Sequence, residues 1–366
     1  MKKHYQKIIY YNHLTSETRK RKTSFLKTKN KPTSRYELIS LKTERGIYMN
    51  FELTKEQQMI RDMVREFAQA EIAPYARELD EKHEFRKESF DKMAELGLFG
   101  IPFPEQYGGS GGDTVSYALA VEEIGRACGG TGLSYAAAVS LGATPFYNFG
   151  TEEQKQEYLV PMAQGKTLGS FGLTEPNAGS DAGGTRTKAY LDGDEWVING
   201  EKCWITNASY ARQVVVTAVT GQDERGKNII TAIIVPTDTP GVTIRSEYQK
   251  MGVRASNTCE IVLENVRVPK ENILGDEKKG FGQFLNTLDG GRISIAALSV
   301  GIAQSAFEKA LQYAKERVQF GQSISKLQAI QFKLADMAME IELARTMVHK
   351  AAWLKDHGKP FKKEAA

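Results

Sequence analysis

The chain has 366 residues, of which 41% are apolar and 26% charged; this is ordinary for a globular protein and long enough for two or three domains. No stretch is apolar over the length that a membrane span needs. The net charge of +4 is uneven, because residues 1–48 carry thirteen Lys or Arg and three Glu, whereas the rest carries 36 Lys or Arg and 42 Asp or Glu. A mildly acidic body argues against nucleic-acid binding by the folded part.

Cysteine and histidine usage bounds the chemistry further. Cys128, Cys203 and Cys259 are odd in number and lack C-x-x-C spacing, which predicts reduced thiols in a cytoplasm-like compartment and no disulfide framework. The five histidines have no metal-ligand spacing with cysteines or carboxylates. We therefore predict that the protein binds no metal.

Residues 1–48 are rich in lysine, poor in apolar residues and without periodicity, so that alone they are predicted to be disordered. A transit peptide would be basic, as this segment is, but also amphipathic and arginine-rich, which it is not. A nucleic-acid-binding arm has no other support. We favour a third interpretation, in which translation of a bacterial protein begins at Met49, because Glu44 to Met49 could be encoded by a ribosome-binding-site-like run before an ATG.

Residues 49–168 are predicted to form an N-terminal helical domain. Thr54 with Gln57, and Thr151 with Gln154, have the spacing of capping boxes at helix starts. Two further helices are predicted, one from Ser89 to near Gly97 and one led by Asp113 through Ala127. Between them, the turn Tyr107-Gly108-Gly109 lies either beside a cofactor or in a simple linker.

Residues 169–280 are predicted to form a middle β domain. Trp196-Val197-Ile198 ends at Asn199-Gly200, a strong hairpin signal, and Lys202 to Thr206 is predicted to return as the next strand. Three more segments rich in Val, Ile and Thr are predicted strands: Gln213 to Val219, Ile229 to Val235 and Cys259 to Val268.

Residues 281–366 are predicted to form a C-terminal helical bundle with one helix near Phe281 to Arg317 and another near Lys326 to His357. An apolar face at helical spacing is expected to be bundle core: Leu334, Met337, Ala338, Ile341, Leu343, Ala344 and Val348. Pro360 favours a new helix, and the chain ends at Ala366 before that helix completes more than a turn or two, which leaves the bundle short of partners. The fold class is therefore α+β.

Two short stretches carry the strongest functional signal. Phe171 to Asp181 is a small-residue loop with hydroxyls at Thr174 and Ser180, and its backbone N–H groups could bind phosphate. Considered alone, such a loop is more often a surface turn, and it matches neither nucleotide fingerprint. The second stretch is Trp204-Ile205-Thr206.

Together these stretches resemble the signature of the acyl-CoA dehydrogenase family, through Gly172-Leu173-Thr174-Glu175, Gly179-Ser180-Asp181 and the Trp204-Ile205-Thr206 strand. Further segments agree with the family: Met251 to Ser256, Asp289-Gly290-Gly291-Arg292, Arg317 to Gly321, and Gln328 to Lys333. The resemblance covers the chain from about Met49 to its last residue and is closest to the short-chain (butyryl) branch.

The resemblance implies that a carboxylate removes the α proton of an acyl-CoA thioester while the β hydrogen leaves as hydride to N5 of FAD. It implies that two groups of residues contact FAD. Contacts along the flavin are implied for Phe171, Gly172, Leu173, Thr174, Gly179, Ser180, Trp204, Ile205 and Thr206. Contacts from a neighbouring subunit at the FAD pyrophosphate are implied for the segment that contains Arg317, Phe320 and Gln328. It implies contacts with the acyl-CoA substrate by Ser180, Asp289, Gly290, Gly291 and Arg292. Electron-transfer flavoprotein would accept the electrons, and the complete protein would be a bacterial cytoplasmic homotetramer.

The catalytic base is where this sequence departs from the family. Most members carry a glutamate in a Tyr-Glu-Gly-Thr segment near the C-terminus, and no such segment precedes Ala366. A minority carry the base at the position of Gly291, which cannot serve. We therefore expect a C-terminally truncated short-chain acyl-CoA dehydrogenase with no visible base. The alternatives are an acyl-CoA oxidase, and an inactive flavin- or CoA-binding fragment or assembly partner.

Overall fold

Helices form both ends of the described part of the chain, residues 52–366 of a computed structural model, and the predicted leader of residues 1–48 lies outside it. The helices before the sheet are α1 Lys55–Glu71, α2 Ala76–Lys82, α3 Lys87–Glu95, α4 Thr114–Ala127, α5 Gly129–Ala137, α6 Thr144–Phe149, α7 Glu152–Gln154 and α8 Val160–Ala163. Two π-helical segments, Ala138–Ala143 and Lys155–Leu159, join α5 to α6 and α7 to α8. The helix predicted from Ser89 thus begins two residues earlier, at Lys87.

Side-chain caps fix the starts of α1, α4 and α7, as the sequence predicted. The Thr54 hydroxyl accepts from the Gln57 amide while the Gln57 side chain accepts from the Thr54 amide, which confirms the first capping box. The same reciprocal pair is present at Thr151 and Gln154. Asp113 accepts from the Ser116 amide at 2.7 Å and caps α4. Each cap satisfies backbone donors that the first helical turn leaves free.

The sheet has seven strands: β1 Leu168–Gly172, β2 Lys188–Asp192, β3 Glu195–Thr206, β4 Ala211–Gln222, β5 Asn228–Pro236, β6 Val242–Ile244 and β7 Thr258–Pro269. They pair in the order β1-β4-β2-β3-β7-β6, and β5, outside this path, pairs with β4. The pairing of β1 with β4 is parallel, and β3 runs antiparallel to β7. The three Val/Ile-rich strands predicted from composition correspond to β4, β5 and β7.

The predicted hairpin turn at Asn199-Gly200 is wrong. β3 runs without a turn from Glu195 to Thr206, and the reversal lies before it, at Gly193 with φ 64°. A Cβ on Gly200 would lie 2.7 Å from the Thr187 Cα, so the missing side chain permits a close approach of two backbones. The Asn199 side chain instead accepts from the Asn265 amide at 2.8 Å, across the pairing with β7.

Gly200→Ala is therefore expected to destabilise the protein by about 1–3 kcal/mol, because the added methyl would be driven into the Thr187 backbone. Urea denaturation measures the change. The matched control is Gly221→Ala on β4, where a Cβ would meet only the Ile229 side-chain end at 4.0 Å. Equal stability losses in the two variants would contradict a packing role for Gly200.

The C-terminal part consists of α9 Gly280–Glu316, α10 Gln328–Asp356 and α11 Lys362–Ala365. A small hairpin, β8 Val318–Gln319 with β9 Gln322–Ser323, connects α9 to α10. Phe284 of α9 stacks on Phe171 of β1 with ring centroids 4.0 Å apart, which joins the long helix to the start of the sheet. The two long helices agree with the prediction.

The apolar face predicted as bundle core is only partly buried. Ile341 and Val348 are buried, whereas Leu343 is 63% exposed and Met337 38%. An open groove of about 730 Å³ lies between α9 and α10 and is lined by Met337, Ile341 and Val348 of this face, but not by Leu343. Within residues 52–366, no helix is long and apolar enough to cross a membrane, and no group of His, Cys, Asp and Glu could bind a metal ion.

Candidate functional site

The two predicted stretches lie side by side, because β1 leads into the first and β3 ends in the second. The Cys203 amide donates to the Thr174 carbonyl at 2.9 Å. The Ser170 hydroxyl donates to the Thr206 carbonyl at 2.9 Å. The hydroxyls of Thr174 and Thr206 therefore belong to adjacent segments of backbone, and both residues are half-buried.

A bulge in β3 controls the orientation of the second stretch. The register with β7 shifts between Lys202 and Ile205, and Trp204 within it has φ 60°. A positive φ is rare for a bulky residue, and such strain concentrates at functional sites. Trp204 is 58% exposed and stacks on Tyr248 at 4.3 Å, whereas Ile205 is buried. Trp204 is thus not a core aromatic.

The first stretch forms a tight turn in which Glu175 and Ala178 exchange both backbone hydrogen bonds at 3.1 Å. Gly179 and Ser180 follow it and are exposed, and a Cβ on Gly179 would meet nothing within 4 Å. Gly172 has a different role, because its Cβ would lie 2.9 Å from a Val216 methyl of β4. The open side of the loop is therefore at Gly179 and Ser180.

A buried ion pair beneath this loop was missed by the sequence reasoning. Lys202 Nζ lies 2.7 Å from Glu175 Oε1, and both side chains are almost fully buried. Burial would raise the pKa of Glu175, but Lys202, Thr185 and Thr187 outweigh it and lower the pKa to about 2. Burial lowers the pKa of Lys202 to about 8 against the opposing effect of Glu175. The short Nζ–Oε1 contact therefore pairs an ammonium with a carboxylate beneath the loop.

The predicted substrate-side residues other than Ser180 lie in the first half of α9. Asp289 is buried and forms ion pairs with Arg292 at 2.9 Å and Lys362 at 2.8 Å, so it is neither a helix cap nor a free surface charge. Gly291 is buried, and its Cβ would lie 3.2 Å from a Leu141 methyl in the π-helical segment. The Cβ of Gly290 would instead approach Lys355 Nζ at 3.4 Å.

The remaining predicted cofactor residues lie at the other end of α9 and beyond. Arg317 follows the last turn of α9, and Gln328 is the first residue of α10; both are exposed. Phe320, at the tip of the β8–β9 hairpin, is 89% exposed with φ 52°. Among residues 52–366, no hydrogen bond or ion pair joins these three side chains to either stretch.

Family comparisons cover most of the described chain. Residues 54–166, 170–266 and 278–366 match the family models "Acyl-CoA dehydrogenase, N-terminal domain", "middle domain" and "C-terminal domain". The probable acyl-CoA dehydrogenase YngJ of Bacillus subtilis is 75% identical over 318 residues, which are 87% of this chain and 84% of that protein.

Solved structures agree. Butyryl-CoA dehydrogenase from Megasphaera elsdenii superposes with a TM-score of 0.84 at 47% identity, covering 87% of this chain and 84% of that one. A chain from work on the electron transferring flavoprotein of Acidaminococcus fermentans gives a TM-score of 0.84 at 50% identity, covering 87% and 83%. Other matching structures were solved with FAD or FADH2.

Proposed function

The chain belongs to the acyl-CoA dehydrogenase family of oxidoreductases, and on that premise we propose that its site serves FAD-dependent α,β-dehydrogenation of short-chain acyl-CoA to trans-2-enoyl-CoA. The observation that carries the proposal is the bulge of β3, which turns the Cys203 amide to Thr174 and leaves Trp204 exposed beside the loop. The short-chain preference is supported by the likeness to butyryl-CoA dehydrogenase.

The residues present suit a flavin. Thr174 and Thr206 supply half-buried hydroxyls on adjacent segments of backbone. Gly179 and Ser180 leave one side of the loop open, where part of the FAD molecule could lie. When bound, FAD would supply the hydride-accepting chemistry. Thr174 and Thr206 would orient the ring by hydrogen bonds, and Trp204 would pack against the ring.

The proposal also includes a neighbouring subunit and an electron-accepting partner protein. Arg317, Phe320 and Gln328 are exposed and would contact the flavin of a neighbouring subunit in a homotetramer, where the planar guanidinium of Arg317 suits a pyrophosphate. Electron-transfer flavoprotein would be the electron acceptor, which the likeness to the Acidaminococcus chain supports. The bacterial relatives support a cytoplasmic location.

Proton abstraction needs a free base, and both buried carboxylates near the site, Glu175 and Asp289, are engaged. Glu175 is ion-paired with Lys202 beneath the loop, and its pKa of about 2 is too low for a general base at neutral pH. Asp289 is shared between Arg292 and Lys362. This favours a second candidate function for residues 1–366, flavin and acyl-CoA binding without dehydrogenation. Oxygen consumption with butyryl-CoA would identify the acyl-CoA oxidase alternative.

Flavin binding is the direct test of the site. Thr206→Val is expected to weaken FAD binding about fivefold, by removing one hydrogen bond worth ~1 kcal/mol. Trp204→Ala is expected to weaken it roughly 2- to 10-fold through lost ring stacking. Fluorescence titration measures both affinities, and visible absorption reports the ring environment.

The matched control for the flavin test is Thr243→Val on the edge strand β6, where Thr243 is exposed. It is expected to leave FAD affinity and spectrum unchanged. If Thr206→Val and Trp204→Ala both bind FAD as the unmodified chain does, with the same spectrum, the second stretch does not contact the flavin.

A further inference from the structure

We infer that the buried Glu175–Lys202 pair is the positioning element of this site, holding the Thr174–Ser180 loop onto the bulge of β3. The effect of this pair on flavin binding rests on the flavin site proposed above. Neither side chain would touch the flavin or the substrate, because both are almost fully buried. Their effect would be on the residues beside them in sequence, Thr174 before Glu175 and the Cys203–Thr206 bulge after Lys202.

The Lys202 ammonium donates hydrogen bonds to three segments of the chain. It donates to Glu175 Oε1 at 2.7 Å, to the Thr217 hydroxyl of β4 at 3.0 Å and to the Thr185 hydroxyl at 3.3 Å. The Leu173 carbonyl lies at 3.4 Å. Lys202 itself belongs to β3, so one ammonium ties both limbs of the loop to two strands of the sheet.

Glu175 completes the connection on the loop side. Its carboxylate accepts from the Arg186 amide at 2.6 Å, from the Thr187 amide at 3.1 Å and from the Thr185 hydroxyl. The Glu175 backbone closes the tight turn with Ala178. The carboxylate therefore fixes the return limb of the loop, and the exposed Gly179 and Ser180 are presented between the two fixed limbs.

Because the pair is buried, partial separation of the loop from β3 is costly. If the loop left β3, the Lys202 charge would lose its counter-ion in the interior, which is far more costly than breaking a surface ion pair. The loop therefore stays in register with the bulge, and the Thr174 carbonyl stays on the Cys203 amide at 2.9 Å. Replacing both charges by neutral groups of similar size removes the attachment without leaving a buried charge.

Hydrogen exchange on the whole chain, with no ligand added, tests the attachment. In Lys202→Met, amides of residues 174–187 are expected to exchange roughly 10- to 100-fold faster, because charge-assisted hydrogen bonds are lost. Glu175→Gln keeps only one acceptor oxygen for the Arg186 and Thr187 amides, which the carboxylate accepts on separate oxygens, but it leaves the Lys202 ammonium in place, so a smaller increase is expected. In the double variant, Glu175→Gln with Lys202→Met, the melting temperature should rise above that of Lys202→Met while exchange of the loop stays fast.

The control is Leu263→Ala, which removes a buried β7 side chain from the sheet core. It is expected to lower the melting temperature while leaving the protection of residues 174–187 unchanged. If loop protection follows the melting temperature across all four variants, the pair stabilises the fold in general and the inference is overturned.

Flavin titration separates this inference from the proposed function. If the unmodified chain binds FAD, Lys202→Met should shift the flavin absorption band and weaken binding at least tenfold, whereas Leu263→Ala should keep the unmodified spectrum; identical spectra in all variants would overturn the inference. If the unmodified chain does not bind FAD at saturating concentrations, the proposed function fails, and hydrogen exchange alone decides whether the pair positions the loop.

Discussion

Gly291→Glu is expected to raise the rate of butyryl-CoA dehydrogenation by residues 1–366 in the presence of FAD about 10²- to 10⁴-fold, the usual contribution of a positioned general base. The family resemblance implies that a minority of members carry the base at the position of Gly291. Gly291 is buried, and its Cβ would lie 3.2 Å from the end of the flexible Leu141 side chain, which can move aside. Burial would raise the pKa of the new carboxyl toward neutrality, as a base requires.

Dye-coupled assays with butyryl-CoA measure this gain. Gly291→Gln should give none, because an amide cannot take the proton. Gly290→Glu is a closer control: its Cβ would lie 3.4 Å from Lys355 Nζ, so the new carboxylate is expected to form an ion pair with that ammonium on a different face of α9. Turnover by the unmodified chain at the rate of Gly291→Glu would mean that another residue already acts as the base.

Arg345→Met is expected to lower the free energy of unfolding by about 3–5 kcal/mol at pH 7, because it leaves a buried carboxylate unpaired. Arg345 of α10 donates to Glu122 of α4 at 2.9 Å and to the Gln304 side chain of α9 at 2.8 Å. Glu122 is 6% exposed. One guanidinium thus connects three helices that are distant in sequence.

The loss should depend on pH in a defined direction. Burial raises the pKa of Glu122, Arg345 and Arg65 oppose the rise, and the neighbouring Glu123 adds to it. Without Arg345 the pKa rises further, so the folded variant binds a proton more tightly than the unfolded chain does. Its stability is therefore expected to increase as pH falls through that raised pKa, and to be lowest above it.

Urea denaturation between pH 5 and 8 measures this. Glu342→Gln is the matched control, because Glu342 is the other carboxylate partner of Arg345 and its side chain is 69% exposed. A loss of about 0–1 kcal/mol is expected there. Equal losses in Arg345→Met and Glu342→Gln, or a loss in Arg345→Met that does not change with pH, would contradict a role for the buried Glu122 charge.

Short-range patterns in the sequence determined most of the helices and the general position of the sheet. Thr54 with Gln57, and Thr151 with Gln154, start helices because each pair satisfies its own local backbone groups. The Val/Ile-rich segments became β4, β5 and β7 because β-branched residues suit a half-buried pleated surface. The two stretches at Thr174 and Trp204 were also visible, as motifs with family-specific spacing.

Only the tertiary structure decided how those stretches are built, because the deciding contacts join residues far apart in sequence. Asn199-Gly200 has the local chemistry of a turn, yet Thr187 packs against Gly200 and the strand continues. Trp204 is exposed at a bulge where the register between β3 and β7 shifts. Glu175 meets Lys202 across 27 positions and Glu122 meets Arg345 across 223, distances over which no local periodicity carries information.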